Sequence, residues 1–410
     1  MRAPSGATRW GRGAGTEGRG GQGPTGRAGR GGAEALLWAP SGAAGLQDGR
    51  FLWEEVFGWA DRDRRRAADP HTIYAVIEEA GCDLPIVGRA RGDIAVSRMH
   101  ADEVDTDASL VRQLVARQFP QWGHLTVEPV RSAGTDHAIY RLGADMMVRL
   151  PRVERATSSL EKELQWLPRL GPLLPLAVPI PLASGVPAEG YPWRWAVYRW
   201  LAGETATRDR ITDPHQAATS LARFVGALHR IGATGGPPPG ADNSFRGERL
   251  ANRDNATRRA LAALQGMVPC GAVTAAWEAA LVEPEWDGPG VWVHGDLHET
   301  NLLARDGRLS AVIDFGCLAV GDPACDVMTA WAYLAAENRD VFRATLSVDD
   351  ATWARGRGWA LSWALIALPY YKDTNPTLAG MARRTIAEVL ADHTQGTGRP
   401  AEEAGGVSRG

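Results

Sequence analysis

Apolar positions follow two spacings along this chain, and the two predict different elements. Leu110, Val111, Leu114, Val115 and Phe119 recur at helical spacing. They predict a helix capped by Thr106 or Asp107 and stopped by Pro120. Three strand-like runs follow, at 125–130, 138–142 and 146–150, with Gly143-Ala144-Asp145 as the turn between the last two. A helix over 158–170 carries Leu160, Leu164, Leu167 and Leu170 on one face, and 193–198 reads as a further strand. From Thr212 the spacing is mainly helical. Asp213-Pro214 starts a helix with Leu221, Phe224, Val225 and Leu228 on its buried stripe, ending at His229, which reads as a packed histidine. Arg253 to Leu264 is another helix, whose Arg253, Asp254 and Arg258 read as a solvated face or the lining of a cleft. Apolar runs at 301–305 and 309–313 flank Gly307 and predict a short β-hairpin. Segments 327–336 and 353–367 predict apolar helices.

The ends of the chain lack such patterning. Residues 1 to about 34 are rich in Gly and Arg and almost without aliphatic side chains, so they bury too little apolar surface to offset ordering entropy. Residues 35–98 show no sustained period and include the charge run Asp61-Arg62-Asp63-Arg64-Arg65-Arg66. We expect 1–98 to be a disordered or non-native extension, with Met99 as a candidate translation start, and 396–410 to be a flexible tail.

Composition narrows the class. A chain of 410 residues exceeds the usual single core, so two lobes are expected. The net charge of -3 argues for neither nucleic acid nor a membrane surface as the main partner. No apolar run spans a bilayer and no secretory signal is apparent, which leads us to expect a cytoplasmic protein. Cys82, Cys270, Cys317 and Cys325 lack paired or zinc-type spacing and read as reduced thiols. Lys162 and Lys372 are the only lysines.

The densest chemistry lies at Val293-His294-Gly295-Asp296-Leu297-His298-Glu299-Thr300-Asn301, followed by Val312-Ile313-Asp314-Phe315-Gly316. The predicted hairpin brings Asp296, Asn301 and Asp314 together, and such hard oxygen donors suit Mg²⁺ alongside phosphates. This arrangement resembles the catalytic half of the aminoglycoside phosphotransferase family, small-molecule relatives of the protein kinases. The kinase pattern H-R-D-L-x-x-x-N runs here from His294 to Asn301 with Gly295 in place of Arg, and D-F-G is Asp314-Phe315-Gly316. Gly321-Asp322-Pro323-Ala324-Cys325-Asp326 is a third signature typical of the family.

The resemblance covers roughly residues 100–395 and implies an α+β, bilobal protein-kinase-like fold. The small lobe, 99–203, would hold a β-sheet and the nucleotide. The larger, mainly helical lobe, 204–395, would hold the catalytic residues and the acceptor. It implies Asp296 as the catalytic base, Asn301 and Asp314 as Mg²⁺ ligands, and His294 and Asp326 as supports of the catalytic loop. It implies ATP or GTP as cofactor. Gly134 and Thr135 would lie over its phosphates, and the Arg199 carbonyl and Leu201 amide would meet its base. Arg149 stands where kinases carry a lysine, and Glu163 where a helix glutamate pairs with that cation, with Glu161 as competitor. The implied activity is Mg-dependent phosphoryl transfer to a hydroxyl of a small molecule. The first expectation is an aminoglycoside- or macrolide-type antibiotic, hence antibiotic resistance. A metabolic small-molecule kinase, or a nucleotide-binding regulator without turnover, is the alternative.

Overall fold

The computed structural model describes residues 103–130 and 136–397. The expectations for 1–98, for Gly134 and Thr135, and for the tail beyond Thr397 lie outside the described residues, whereas Gly396 and Thr397, expected in the tail, still belong to the last helix.

Helix α1 (Ala108–Gln118) starts where the Asp107 carboxylate accepts the Leu110 N–H at 2.7 Å. Its buried face, Val111, Leu114 and Val115, packs on an antiparallel five-stranded sheet. The strands are β1 (Val127–Pro129), β2 (His137–Leu142), β3 (Met146–Pro151), β4 (Pro181–Gly185) and β5 (Trp195–Arg199), in the order β1-β2-β3-β5-β4. Gly143 adopts φ +59° in the β2–β3 turn, a conformation glycine takes without steric cost. Alternation along β3 divides its side chains. Val148 and Leu150 join the core beneath α1, whereas Met147 lies with Ala196 and Tyr198 against Leu160 of α2 (Thr157–Leu170).

Helix α2 also belongs to the second core. Its C-terminal half, Trp166, Leu167 and Leu170, packs into the large cluster built by the helical part of the chain. That part contains β6 (Glu204–Thr205), α3 (Pro214–Arg230), α4 (Asp254–Ala263), α5 (Cys270–Leu281) and β7 (Val291–Val293). The hairpin β8 (Leu302–Arg305) and β9 (Arg308–Val312) turns at Asp306 and Gly307, both left-handed, and β6 adds a third strand to it. β10 (Ala319–Gly321) returns to pair with β7.

The apolar segment expected as one helix over 327–336 is instead two short helices, α6 (Ala324–Val327) and α7 (Thr329–Ala332). The Asp322 carboxylate caps the Ala324 N–H at 2.9 Å and starts the helical run earlier. Its hydrogen bonding then shifts: Trp331 and Ala332 both donate to Met328, and Leu334 reaches back to Thr329. The chain closes with α8 (Arg339–Leu346), α9 (Asp350–Tyr371) and α10 (Pro376–Thr397). Helix α9 is buried on nearly every side, and its tryptophans Trp359 and Trp363 are core, as is Trp331. The fold is α+β and bilobal, of the protein-kinase-like kind. No helix among the described residues is long and apolar enough to cross a membrane.

Candidate active site

Strand β7 delivers the chain into the loop His294–Asn301, and that loop is held by its backbone. Asp326 of α6 accepts the N–H groups of His294 and Gly295 at 2.9 and 2.8 Å, and His229 Nε2 lies 3.3 Å from the same carboxylate. The His294 ring accepts the Asp296 N–H at Nδ1 (3.2 Å) and donates from Nε2 to the Ile313 carbonyl (3.1 Å). Those two bonds require the neutral tautomer with the proton on Nε2. Burial, which lowers the pKa of this histidine, favours the same form.

Three side chains converge on the Asp296 carboxylate. Oδ2 accepts from His298 Nε2 at 3.1 Å and from Asn301 Nδ2 at 3.2 Å, and Oδ1 accepts from Arg246 Nη2 at 3.1 Å. The Thr300 hydroxyl lies 3.0 Å from His298 Nδ1 and fixes the ring with Nε2 facing Asp296. Burial works against the charge on Asp296. His298, and after it Arg246, outweigh that penalty and hold the carboxyl well below the usual carboxylate range.

Hairpin β8–β9 brings Asp314 back towards this loop, with the Ile313 N–H bonded to the Asn301 carbonyl at 2.9 Å. Asp314 sits at φ +62°, a sparsely populated conformation for a residue with a side chain. Its Oδ1 accepts from Arg149 Nη2 at 3.0 Å. Arg149 Nη1 reaches both oxygens of Glu163, at 2.6 and 2.7 Å, and Nη2 lies 3.2 Å from His137 Nδ1. Glu163 further accepts the Tyr198 hydroxyl at 2.8 Å and the Phe315 N–H at 3.1 Å. This is a fully buried carboxylate with every bond filled, as burial of charge requires. Its competitor Glu161 pairs instead with Arg194 at the surface, at 2.9 Å. Burial opposes the Arg149 charge, but Glu163 and Asp314 together hold the guanidinium above its ordinary range. Burial likewise opposes ionisation of Asp314, and Arg149 and then His137 outweigh it, keeping that carboxyl low.

Among the described residues no group of three or more His, Cys, Asp or Glu side chains is arranged to hold a metal by itself. The donors present do fit Mg²⁺ shared with phosphates. The Asn301 amide nitrogen is engaged by the Asp296 carbonyl (2.9 Å) and carboxylate, which leaves its oxygen as the remaining donor atom. The Asp314 side chain is 45% exposed.

The other expected residues are dispersed. Arg199 is exposed at the end of β5, and Leu201 follows Trp200, whose N–H is bonded to the Asp145 carbonyl at 2.7 Å and whose ring carries Arg141 at 4.1 Å. Arg253 packs over Trp359 and bonds Ser362 at 3.0 Å, while Asp254 and Arg258 pair with each other at 2.7 Å. Asp254 also accepts the Trp277 indole N–H at 2.7 Å and Arg258 reaches Glu278 at 3.4 Å, so these three residues join helices. Sequence reasoning missed Arg246, which lies fifty residues before Asp296 in a segment without pattern. It also gave Lys162 no role, although its ammonium donates to the carbonyls of Gly316 and Asp242. His298 was legible only as a letter of the motif two residues after Asp296.

Comparison with known proteins bears on the family and the fold. The profile of the phosphotransferase enzyme family (APH) matches residues 126–359. No curated protein matches the chain. Among solved structures, the GDP and kanamycin complex of an aminoglycoside 2''-phosphotransferase IIIa aligns with a TM-score of 0.54 at 18% identity, covering 69% of this chain and 98% of that one. The GDP complex of wild-type aminoglycoside 2'-phosphotransferase-IIIa aligns at 0.53 and 19%, covering 70% and 100%. A macrolide 2'-phosphotransferase type I gives 0.49 at 20%, covering 69% and 98%. The matched span takes in the strand that carries Arg149, the helix that carries Glu163, and all three motifs from His294 to Asp326, so the chain belongs to the phosphotransferase enzyme family.

Proposed function

We propose that this enzyme transfers the γ-phosphoryl group of ATP or GTP to a hydroxyl of a small molecule, of aminoglycoside or macrolide type. The observation that carries this reading is the convergence of Asp296, Asn301 and Asp314 beside the Arg149–Glu163 pair. In it, Asp296 orients the acceptor hydroxyl and takes its proton while the bond from acceptor oxygen to phosphorus forms. The bond from phosphorus to the bridging oxygen breaks, and the nucleoside diphosphate leaves with that electron pair. An Asp296 carboxyl held this low is a weak base, which suits a reaction that asks mainly for positioning and charge stabilisation. Arg149 delivers positive charge to the nucleotide phosphates from a mount fixed by Glu163. Asn301 and Asp314 would hold Mg²⁺, which when bound neutralises charge on the phosphates. The Arg199 carbonyl and Leu201 amide would meet the base, and His294 and Asp326 would brace the loop.

GDP and kanamycin, held by a protein of the same fold, make a purine nucleotide and an antibiotic hydroxyl the first pair to test. A polycationic aminoglycoside and an apolar macrolide make opposite demands on a cleft, so both belong in the panel, together with hydroxylated metabolites. The experiment follows nucleotide consumption and acceptor phosphorylation with ATP and with GTP, using Asp296→Asn as control. One acceptor should gain a phosphate, and the variant should lose about 10²–10⁴ in rate while still binding nucleotide. Wild-type turnover by Asp296→Asn would remove Asp296 from this role.

A further inference from the structure

The segment from Gly240 to Gly247 has no motif, yet it runs directly beneath the catalytic loop. It is tightly fixed. The Asn243 amide bonds the Pro238 carbonyl and the Gly240 N–H, both at 2.8 Å, and Lys162 of α2 bonds the Asp242 carbonyl at 2.7 Å. Ser244 and Phe245 then follow in consecutive left-handed conformations, φ +53° and +56°, which residues with side chains rarely adopt. That strained pair aims Arg246 at Asp296.

Two glycines of the family motifs are where this segment is threaded. A Cβ on Gly295 would stand 2.7 Å from Arg246 Cβ and 2.8 Å from Cγ. A Cβ on Gly321 would stand 2.1 Å from the Gly247 carbonyl oxygen, and that oxygen accepts the Asp322 N–H at 2.7 Å. Gly295, where the kinase pattern has arginine, adopts φ +81°, and a Cβ there would also meet the Cys317 carbonyl oxygen at 2.9 Å, so the left-handed backbone, that carbonyl and the stem of Arg246 together favour glycine. Arg246 is 8% exposed, and its Nε and Nη1 are buried without a hydrogen-bond partner beyond the weak thiol of Cys317. A guanidinium left so incompletely bonded, with Nη2 on Asp296 Oδ1, is poorly explained as a stability device. Asp296 Oδ2 carries two donors and Oδ1 carries one, so the free lone pair is on the oxygen that Arg246 holds.

We propose that Arg246 is a positioning residue for phosphoryl transfer, turning Asp296 so that the remaining lone pair of Oδ1 meets the acceptor hydroxyl. This rests on the reading of Asp296 as the base.

The test uses the full chain and water as the acceptor: release of inorganic phosphate from Mg-ATP or Mg-GTP, above the rate without enzyme, alongside calorimetric nucleotide binding. Arg246→Met is expected to lower kcat on the order of 10–100-fold at unchanged nucleotide KM and affinity, with Arg246→Lys recovering part of the loss. Added to Asp296→Asn, it should cost nothing more, since the two side chains act as one unit. A wild-type kcat for Arg246→Met, or a loss that multiplies onto that of Asp296→Asn, overturns the proposal. Should Arg246→Met fail to fold, Arg246→Gln is read by the same criteria. An Asp296→Asn variant with full activity would strike at the base assignment itself, a result distinguishable from failure of Arg246 alone.

Discussion

Arg149 shows how one residue type alters a site's energetics. Its fork holds both oxygens of Glu163 with one nitrogen and Asp314 with the other, a reach that a lysine ammonium does not have. It is only 7% exposed, so its removal would leave Glu163 buried with two neutral donors, the Tyr198 hydroxyl and the Phe315 N–H. Breaking a buried pair on one side costs about 3–5 kcal/mol. Arg149→Met is therefore expected to lower the melting temperature on the order of 10 °C as well as to weaken nucleotide binding. Arg149→Lys should keep the charge on Glu163 and restore part of both. Glu161→Gln, at a half-exposed pair with Arg194, should change neither. Differential scanning calorimetry of the three variants checks this. An unshifted melting temperature for Arg149→Met would mean that the network carries no net stability.

At the scale of elements, the loop His294–Asn301 depends on a histidine that must stay neutral. Protonating His294 would cost the bond from the Asp296 N–H to Nδ1. Its folded pKa is lowered by burial, so the unfolded chain binds the proton more readily, and stability is lost as pH falls below the ordinary histidine value of about 6.5. Melting temperatures between pH 5 and 7 should fall on the acid side, and less steeply in His294→Gln, which keeps a donor and an acceptor without titrating. Equal slopes would assign the acid sensitivity to other groups, His137 first, since burial and Arg149 lower it too. The elements themselves were legible where the signal is local. Asp107 as a cap, Gly307 as a hairpin turn and the leucine stripe of α2 all act within a few residues. The break between α6 and α7 was not legible, because it follows from Asp322 capping early and from shifted hydrogen bonds in an unbroken apolar run. The Asp296–Asn301 contact was readable because it spans five residues, whereas the Arg246–Asp296 contact spans fifty and involves a strained turn whose residues carry no left-handed signature.

Among the described residues the buried apolar side chains form three clusters, and α2 belongs to two of them, Leu160 to the small one it shares with Ala196 and Tyr198, and Trp166, Leu167 and Leu170 to the large helical one. The same helix holds the Asp314 turn twice, through Glu163 to the Phe315 N–H and through Lys162 to the Gly316 carbonyl. Asp314 meanwhile is paired with Arg149 of the sheet. A metal held by Asp314 must therefore compete with that ion pair, and phosphates reaching Arg149 at the same time would compensate the guanidinium. Metal and nucleotide are thus expected to bind together more tightly than either binds alone. Mg²⁺ with ATP or GTP at about 100 times the dissociation constant should stabilise the fold by about 2.7 kcal/mol, a rise of several degrees in melting temperature. Chelating the Mg²⁺ with the nucleotide still present should remove most of that rise, and Asn301→Ala or Asp314→Ala should remove it at ordinary Mg²⁺ while partly restoring it at high Mg²⁺. A thermal shift indifferent to Mg²⁺ in all three proteins would sink the assignment of Asn301 and Asp314 as metal ligands, and with it the expected coupling of metal and nucleotide binding through this turn.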